Sequence, residues 1–233
     1  MDSPIVGRAA TVVVVRDAEA GLEVLLLERP VAGSFGGAWA FPGGRVDPED
    51  SHPDDAEEPA AHDDDPSSAA PAAVRRAAVR ETREETGLVL AESHLVELSR
   101  WVPPARAPKR LTTWFFLARD PGGEMLLSAD EHVDSAWLRP GVALERHAAG
   151  EMVLFPPTWL TLHGLAGAGS VEEALGSVPR PAARFASYQL VDAEGRIEAV
   201  LWAGDAQYGD PRAAGSGRHR LTISSLPWVY ERT

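Results

Sequence analysis

Arg80, Glu81, Glu84 and Glu85 lie in the run Ala77-Ala78-Val79-Arg80-Glu81-Thr82-Arg83-Glu84-Glu85-Thr86-Gly87-Leu88. On a helix the three glutamates fall at i, i+3 and i+4 and share one face. Carboxylates crowded at that spacing repel one another and weaken a helix, so the arrangement gains most when a cation sits among them. Hard cations take oxygen ligands, and Mg2+ is typically shared between one or two carboxylates and substrate phosphates. Gly87 then closes the helix as a left-handed C′ residue. The other reading of the same face is a solvated surface on which Arg80 and Arg83 pair with the glutamates.

Upstream lies Trp39-Ala40-Phe41-Pro42-Gly43-Gly44-Arg45-Val46-Asp47-Pro48-Glu49-Asp50. Taken with the glutamate run, this stretch resembles the box of the Nudix hydrolase family, G-x5-E-x7-R-E-U-x-E-E-x-G-U, where U is a bulky apolar residue. Gly44 fits the first glycine, and Arg80 to Leu88 fit the second half. Asp50, with Glu49 one position early, stands where the box has its first glutamate, and Thr82 stands at the first U. The x7 spacer is replaced by 29 residues, 51 to 79. A divided box of this kind, with Phe-Pro-Gly-Gly before it and Pro-Pro-Thr at 156–158, is similar to the subfamily of the mammalian peroxisomal coenzyme A diphosphatase and its bacterial relatives.

That resemblance implies a Nudix α/β/α sandwich with a mixed sheet, hydrolysing a phosphoanhydride with Mg2+ or Mn2+. It makes Glu84 and Glu85 the principal metal ligands and Glu81 a further ligand or the general base. Arg80 orients these glutamates, and the carbonyl of Gly43 joins the metal. One more acid comes from Ser128 to Trp137; Glu131 fits best, with Asp130 and Asp134 as alternatives. Coenzyme A or an acyl derivative leads among substrates. ADP-ribose, NADH, nucleotide sugars and dinucleoside polyphosphates are the alternatives, and a non-catalytic nucleotide-sensing Nudix module is the alternative of a different class.

Cations that could grip an anionic substrate are Arg29 at the end of a strand, and Arg106, Lys109 and Arg110 in the proline-studded run Trp101 to Arg110. Arginine presents a fork suited to phosphate oxygens; ordinary loop and surface charges are the competing reading. Lys109-Arg110-Leu111-Thr112-Thr113 resembles the Arg-Arg-Phe-Asp-Thr run of the subfamily, with Thr112 in place of its Asp. Leu25-Leu26-Leu27-Glu28-Arg29, Gly37 and Phe41-Pro42-Gly43-Gly44 resemble a pattern of some Nudix coenzyme A hydrolases. There, Gly33 occupies the second arginine position and Arg29 falls one residue out of register.

The elements that must position these groups are legible in outline. Ala9–Arg16 and Leu22–Arg29 read as a hairpin buried on both faces. Val31–Ala38 reads as a loop and Trp39 to Phe41 as a short strand. Residues 47–71, acidic and rich in Pro, Ala and Ser, read as a mobile insertion, with the helix starting near Ser67 or Ser68 and Pro71 in its first turn. Leu88–Leu98 returns to the sheet or skirts its edge, and Leu111–Ala118 is a strand. Pro140–Ala149 and Pro156–Leu165 are helices, and strands follow at Phe185–Val191, Ile197–Trp202 and His219–Ser225. The division expected is a Nudix domain over 1–150 and an α+β extension over 151–233 packed on it, a candidate dimer face.

Composition narrows the partners. The 233 residues carry a net charge of −13, which disfavours broad nucleic-acid or anionic-membrane binding and leaves a small nucleotide as the expected partner. With no cysteine, disulfides and thiolate metal sites are excluded. Met1-Asp2-Ser3-Pro4 has no basic leader, Ala9–Val15 is too short to span a membrane, and Tyr230 to Thr233 does not resemble a peroxisomal address. Cytoplasmic is the default expectation.

Overall fold

β-branched and leucine-rich runs favour the pleated, doubly buried centre of a sheet, and here they form its two central strands. In the computed structural model, which describes residues 4–31, 36–57, 68–108, 110–128 and 132–233, these are β1 (Ile5–Ala18) and β2 (Gly21–Glu28). They pair as an antiparallel hairpin through Val15–Val24 and Ala18–Gly21. Alternation sends Ala10, Val12, Val14, Leu25 and Leu27 into one core and Val13, Val15, Leu22, Val24 and Leu26 into another. Each fully buried Val or Leu contributes about 1.5–3 kcal/mol, so this pair supplies much of the stability of both layers.

Beyond Val15–Val24 the two strands take different partners. β3 (Trp39–Ala40) pairs with β2 at Leu27 and Glu28, while β4 (Gly43–Arg45) pairs with β1 at Ala9 to Thr11. The Phe41-Pro42 step therefore crosses between them, and Pro42 accepts a hydrogen bond from the Val12 N–H at 2.8 Å.

The helix α1 (Ala72–Thr86) packs on one face. Three more strands extend the main sheet: β5 (Val96–Val102), β6 (Arg110–Arg119) and β7 (Asp134–Leu138). β6 runs parallel to β1 and antiparallel to β5, and β7 borders β2, so the sheet is mixed. The opposite face is covered by α2 (Pro140–Ala148), α3 (Pro156–Leu165) and α4 (Val171–Gly176), whose Ala143, Leu162, Leu165, Val171 and Ala174 enter the second core. This is the α/β/α layering with a mixed sheet expected from the sequence.

The C-terminal part departs from the expected single strand at Phe185–Val191. It divides into β8 (Ala183–Ala186), which joins the main sheet parallel to β5, and β9 (Tyr188–Val191), which opens a second sheet. That sheet continues through β10 (Ile197–Leu201), β11 (His219–Thr222) and β12 (Val229–Arg232) as an antiparallel meander. Trp202 carries it into the core, 5.9 Å from Trp101, which stacks on Phe185 at 4.2 Å and stands 6.0 Å from Phe115. Asp205 locks the corner by accepting from Arg220 Nε and Nη2 at 2.7 and 2.6 Å and from the His219 and Gln207 N–H groups. No helix among the described residues is long and apolar enough to cross a membrane.

Candidate active site

The inward stripe of α1 begins with Val74, Ala77 and Ala78 and ends with Thr82, Glu85 and Thr86, all buried. The small alanines let the helix lie close on Ala10, Val12 and Trp114, and the same stripe then delivers Glu85 into the protein. Thr82, at a position where the box has an apolar side chain, is accommodated because its hydroxyl donates to the Ala78 carbonyl at 2.8 Å. Gly87 ends the helix in the left-handed conformation with φ of 74°, its N–H bonded to Arg83 O. The helix starts at Ala72, with Pro71 as its N-cap rather than inside its first turn. The fixed φ of proline suits that entry, and no Ser68 cap is required.

Glu85 is almost fully enclosed. Its Oε2 accepts the Gly43 N–H at 2.8 Å, and its Oε1 lies 3.0 Å from Nε2 of His132, also buried. Ser128 N–H donates to the Glu85 carbonyl at 3.0 Å, which ties the segment leading to β7 onto the end of α1.

Gly43 and Gly44 are dictated by what surrounds them. A Cβ on Gly43, whose φ is 153°, would stand 2.3 Å from Ala10 O, and one on Gly44 would stand 2.4–2.5 Å from the Glu81 carboxyl atoms. The bare backbone of β4 is thus the floor on which the Glu81 carboxylate rests. Burial, chiefly, pushes the Glu81 carboxyl up, aided by the charges of Glu85 and Glu84 and opposed by Arg80.

Arg80 is the hub. Its Nε and Nη2 hold both oxygens of Asp50 at 3.0 and 2.8 Å, a bidentate pair. Nη1 is shared between Glu81 Oε1 at 2.9 Å and Glu84 Oε2 at 3.0 Å, and Nη2 also reaches Arg45 O at 3.0 Å. Burial opposes ionisation of Asp50, but the Arg80 hydrogen bonds and the Asp47 N–H outweigh it and hold the carboxyl below its ordinary value. Arg80 is in turn held more firmly protonated, first by its hydrogen bond to Asp50. Arg76 extends the clasp, donating to the Asp50 carbonyl at 2.5 Å and pairing with Asp55. The described beginning of the acidic insertion, with short 3-10 turns at Pro48–Asp50 and Pro53–Glu57, is therefore fastened to α1. The sequence reading of the insertion did not weigh Arg76 and Arg80 as anchors of its first residues.

Among the described residues no three His, Asp or Glu side chains form a ready-made cation cluster. The donor chemistry nonetheless fits a hard divalent ion: Glu81 and Glu84 flank one guanidinium nitrogen, Glu84 is half exposed, and β4 leaves no side chain beneath Glu81. Glu131, Asp130 and Lys109 lie outside the described residues. Asp134 is exposed and caps its neighbour, accepting from the Ser135 N–H at 2.7 Å. Arg106 is exposed, and Arg29, half-buried, directly follows β2 with its backbone bonded to Gly37 and Ala38. Arg110 is turned toward its own loop, donating to Pro103 O at 3.2–3.3 Å. The group that the sequence reading missed is His132. Attention to acids in Ser128 to Trp137 passed over a histidine flanked by them, which was the available signal.

Residues 71–156 match the family model described as the NUDIX domain. The chain carries a NUDIX domain. The match opens at Pro71 and so takes in α1 with Arg80, Glu81, Glu84 and Glu85, whereas the insertion leaves Gly43, Gly44 and Asp50 upstream of it. The fold resembles that of a NUDIX hydrolase from Alicyclobacillus acidocaldarius, with a TM-score of 0.63 and 28% identity over 76% of this chain and 97% of that one. The Nudix domain of Shewanella oneidensis NrtR, solved with ADP ribose, gives a TM-score of 0.48 and 17% identity, covering 77% and 91%. A MutT protein from Bacillus halodurans gives 0.49 and 17%, covering 85% and 98%. No curated protein matches the chain. The NUDIX domain match and the Alicyclobacillus likeness agree on a NUDIX domain with the fold of a Nudix hydrolase.

Proposed function

We propose that the protein is a Nudix hydrolase that cleaves the phosphoanhydride bond of a nucleoside diphosphate derivative with Mg2+ or Mn2+, and that coenzyme A or an acyl derivative is the substrate. The observation that carries the reaction is the Arg80 hub, whose Nη1 holds Glu84 beside Glu81, which itself lies over the bare backbone of Gly44. The divided box, the Phe-Pro-Gly-Gly step and Pro-Pro-Thr at 156–158 support the coenzyme A reading.

Glu84 and Glu85 with the Gly43 carbonyl would hold the metal, joined by Glu131, and Glu81 is the general base. Bound there, a divalent ion neutralises phosphate charge and lowers the pKa of water. Glu81 takes the proton of the attacking water as the new P–O bond forms and the bridging P–O bond breaks; the leaving phosphate carries away the bridging oxygen. Burial raises the proton affinity of Glu81, while a cation bound beside it would lower it. Arg80 keeps the Glu81 carboxylate in place, and Asp50 keeps Arg80 in place. Arg29, Arg106, Lys109 and Arg110 are the cations offered to the outer phosphates.

The test is product analysis after incubation with Mg2+ or Mn2+ and coenzyme A, ADP-ribose, NADH, a diadenosine polyphosphate and a nucleotide sugar, beside Glu85→Gln. Phosphopantetheine from coenzyme A, absent in the variant, is expected. Preference for another member of the panel overturns the coenzyme A assignment and keeps the chemistry.

A further inference from the structure

We infer that His132 is a positioning residue for the metal site: its imidazole fixes the orientation of the Glu85 carboxylate from the side opposite Gly43. The inference rests on the proposed metal-binding role of Glu85. A carboxylate has acceptors only, and one that is 4% exposed must find donors within the protein. Oε2 has the Gly43 N–H at 2.8 Å. What faces Oε1 is Nε2 of His132, at 3.0 Å, and His132 is likewise 4% exposed.

His132 is itself held firmly. Its N–H donates to Ser128 O at 3.0 Å, Ser128 N–H donates to Glu85 O, and the next residue, Val133, donates to Glu28 O at 3.0 Å. The backbone carrying the imidazole is thereby tied both to the end of α1 and to β2. Neither ring nitrogen has an aligned hydrogen-bond partner among the described residues, so the approach to Oε1 is close but off the N–H axis. The terminal torsion of glutamate is broad and roughly two-fold, which leaves the carboxylate free to turn toward Nε2 as donor. A donor on one oxygen and the Gly43 amide on the other leave the carboxylate a single orientation. Its remaining lone pairs are then presented in one direction. Hydrogen-bonded partners that orient ligating groups typically change metal affinity 10–100-fold.

Three forms of the full chain decide the matter: wild type, His132→Phe, which keeps a ring without a donor, and His132→Gln, whose amide N–H replaces Nε2–H. Free Mn2+ is followed by its paramagnetic resonance signal, and near-ultraviolet circular dichroism establishes that each form is folded. The expected result is about 10-fold weaker Mn2+ binding in His132→Phe, with His132→Gln within roughly 3-fold of wild type. A folded His132→Phe that binds Mn2+ like wild type overturns the inference, as does a folded His132→Gln that loses as much affinity as the Phe form. Should the phenylalanine variant fail to fold, the glutamine variant against Ala at the same position gives the same comparison. Wild type that takes up no Mn2+ overturns the metal reading itself and is distinguishable from either result.

Discussion

The Cα of Gly44 and the carboxylate of Glu81 are in such close contact that a methyl group on the glycine would stand 2.4 Å from Glu81 Cδ. The obstructed atoms are the far end of a flexible side chain, so the fold can absorb the change and the site cannot. Gly44→Ala is expected to remain folded while losing on the order of 100-fold in kcat/KM, the scale of a displacement near 1 Å at a reacting group. Gly43→Ala meets backbone instead, Ala10 O at 2.3 Å, and is expected to lower the melting temperature as well. Thermal melts beside steady-state kinetics separate the two.

Glu81 offers a test in which stability and activity move apart. Its carboxyl is pushed up, chiefly by burial, so the folded protein binds that proton more tightly than the unfolded chain. The ionised form is then a cost to folding that develops as pH rises from the unfolded value through the folded one. Glu81→Gln removes the cost and keeps an acceptor for Arg80. It is expected to melt at or above the wild-type temperature near pH 7 while losing about 10^2–10^4 in kcat. A substantial drop in melting temperature would contradict this account of the environment.

Arg80→Lys keeps the charge and discards the fork. One ammonium cannot hold both Asp50 oxygens while spanning Glu81 and Glu84. The expected loss is about 10–100-fold in kcat/KM, on the scale of lost orienting groups at a metal site. Arg76→Ala, which releases the Asp50 carbonyl and Asp55, is expected to show a milder form of the same defect.

The second sheet makes a prediction about acid. Asp205 is held down to about 2, with its burial outweighed by Arg220 and the His219 and Gln207 N–H groups. A depressed carboxylate stabilises the fold fully above its unfolded pKa, about 3.9, and that stability fades as pH falls through the folded value. Asp205→Ala removes the buried carboxylate paired with Arg220 and is expected to cost about 3–5 kcal/mol near neutrality. The gap between variant and wild type in urea melts should shrink between pH 4 and pH 2.

Much of this was legible from the chain because the informative signals were local. The i, i+3, i+4 glutamates with a glycine stop placed the helix and its acidic face, and the paired apolar runs placed β1 and β2. What the sequence withheld depends on contacts made across long separations. Nothing near Asp50 announces that Arg80, thirty residues later, will grip it, so the whole insertion read as free. Nothing in Phe185 to Val191 announces that Ser187 bonds Val102 O while strands on either side of it join different sheets. His132 was missed for the same reason: its meaning comes from Glu85, which only the fold brings to 3.0 Å.

The most direct test is hydrolysis in water enriched in 18O, with the cleaved diphosphate products weighed by mass spectrometry. One 18O per bond broken, seen only with a divalent cation and lost in Glu81→Gln, is the predicted result. Cleavage at an unchanged rate in excess chelator, or an undiminished rate in Glu81→Gln, would contradict a metal-assisted attack of water organised by Arg80 and its glutamates.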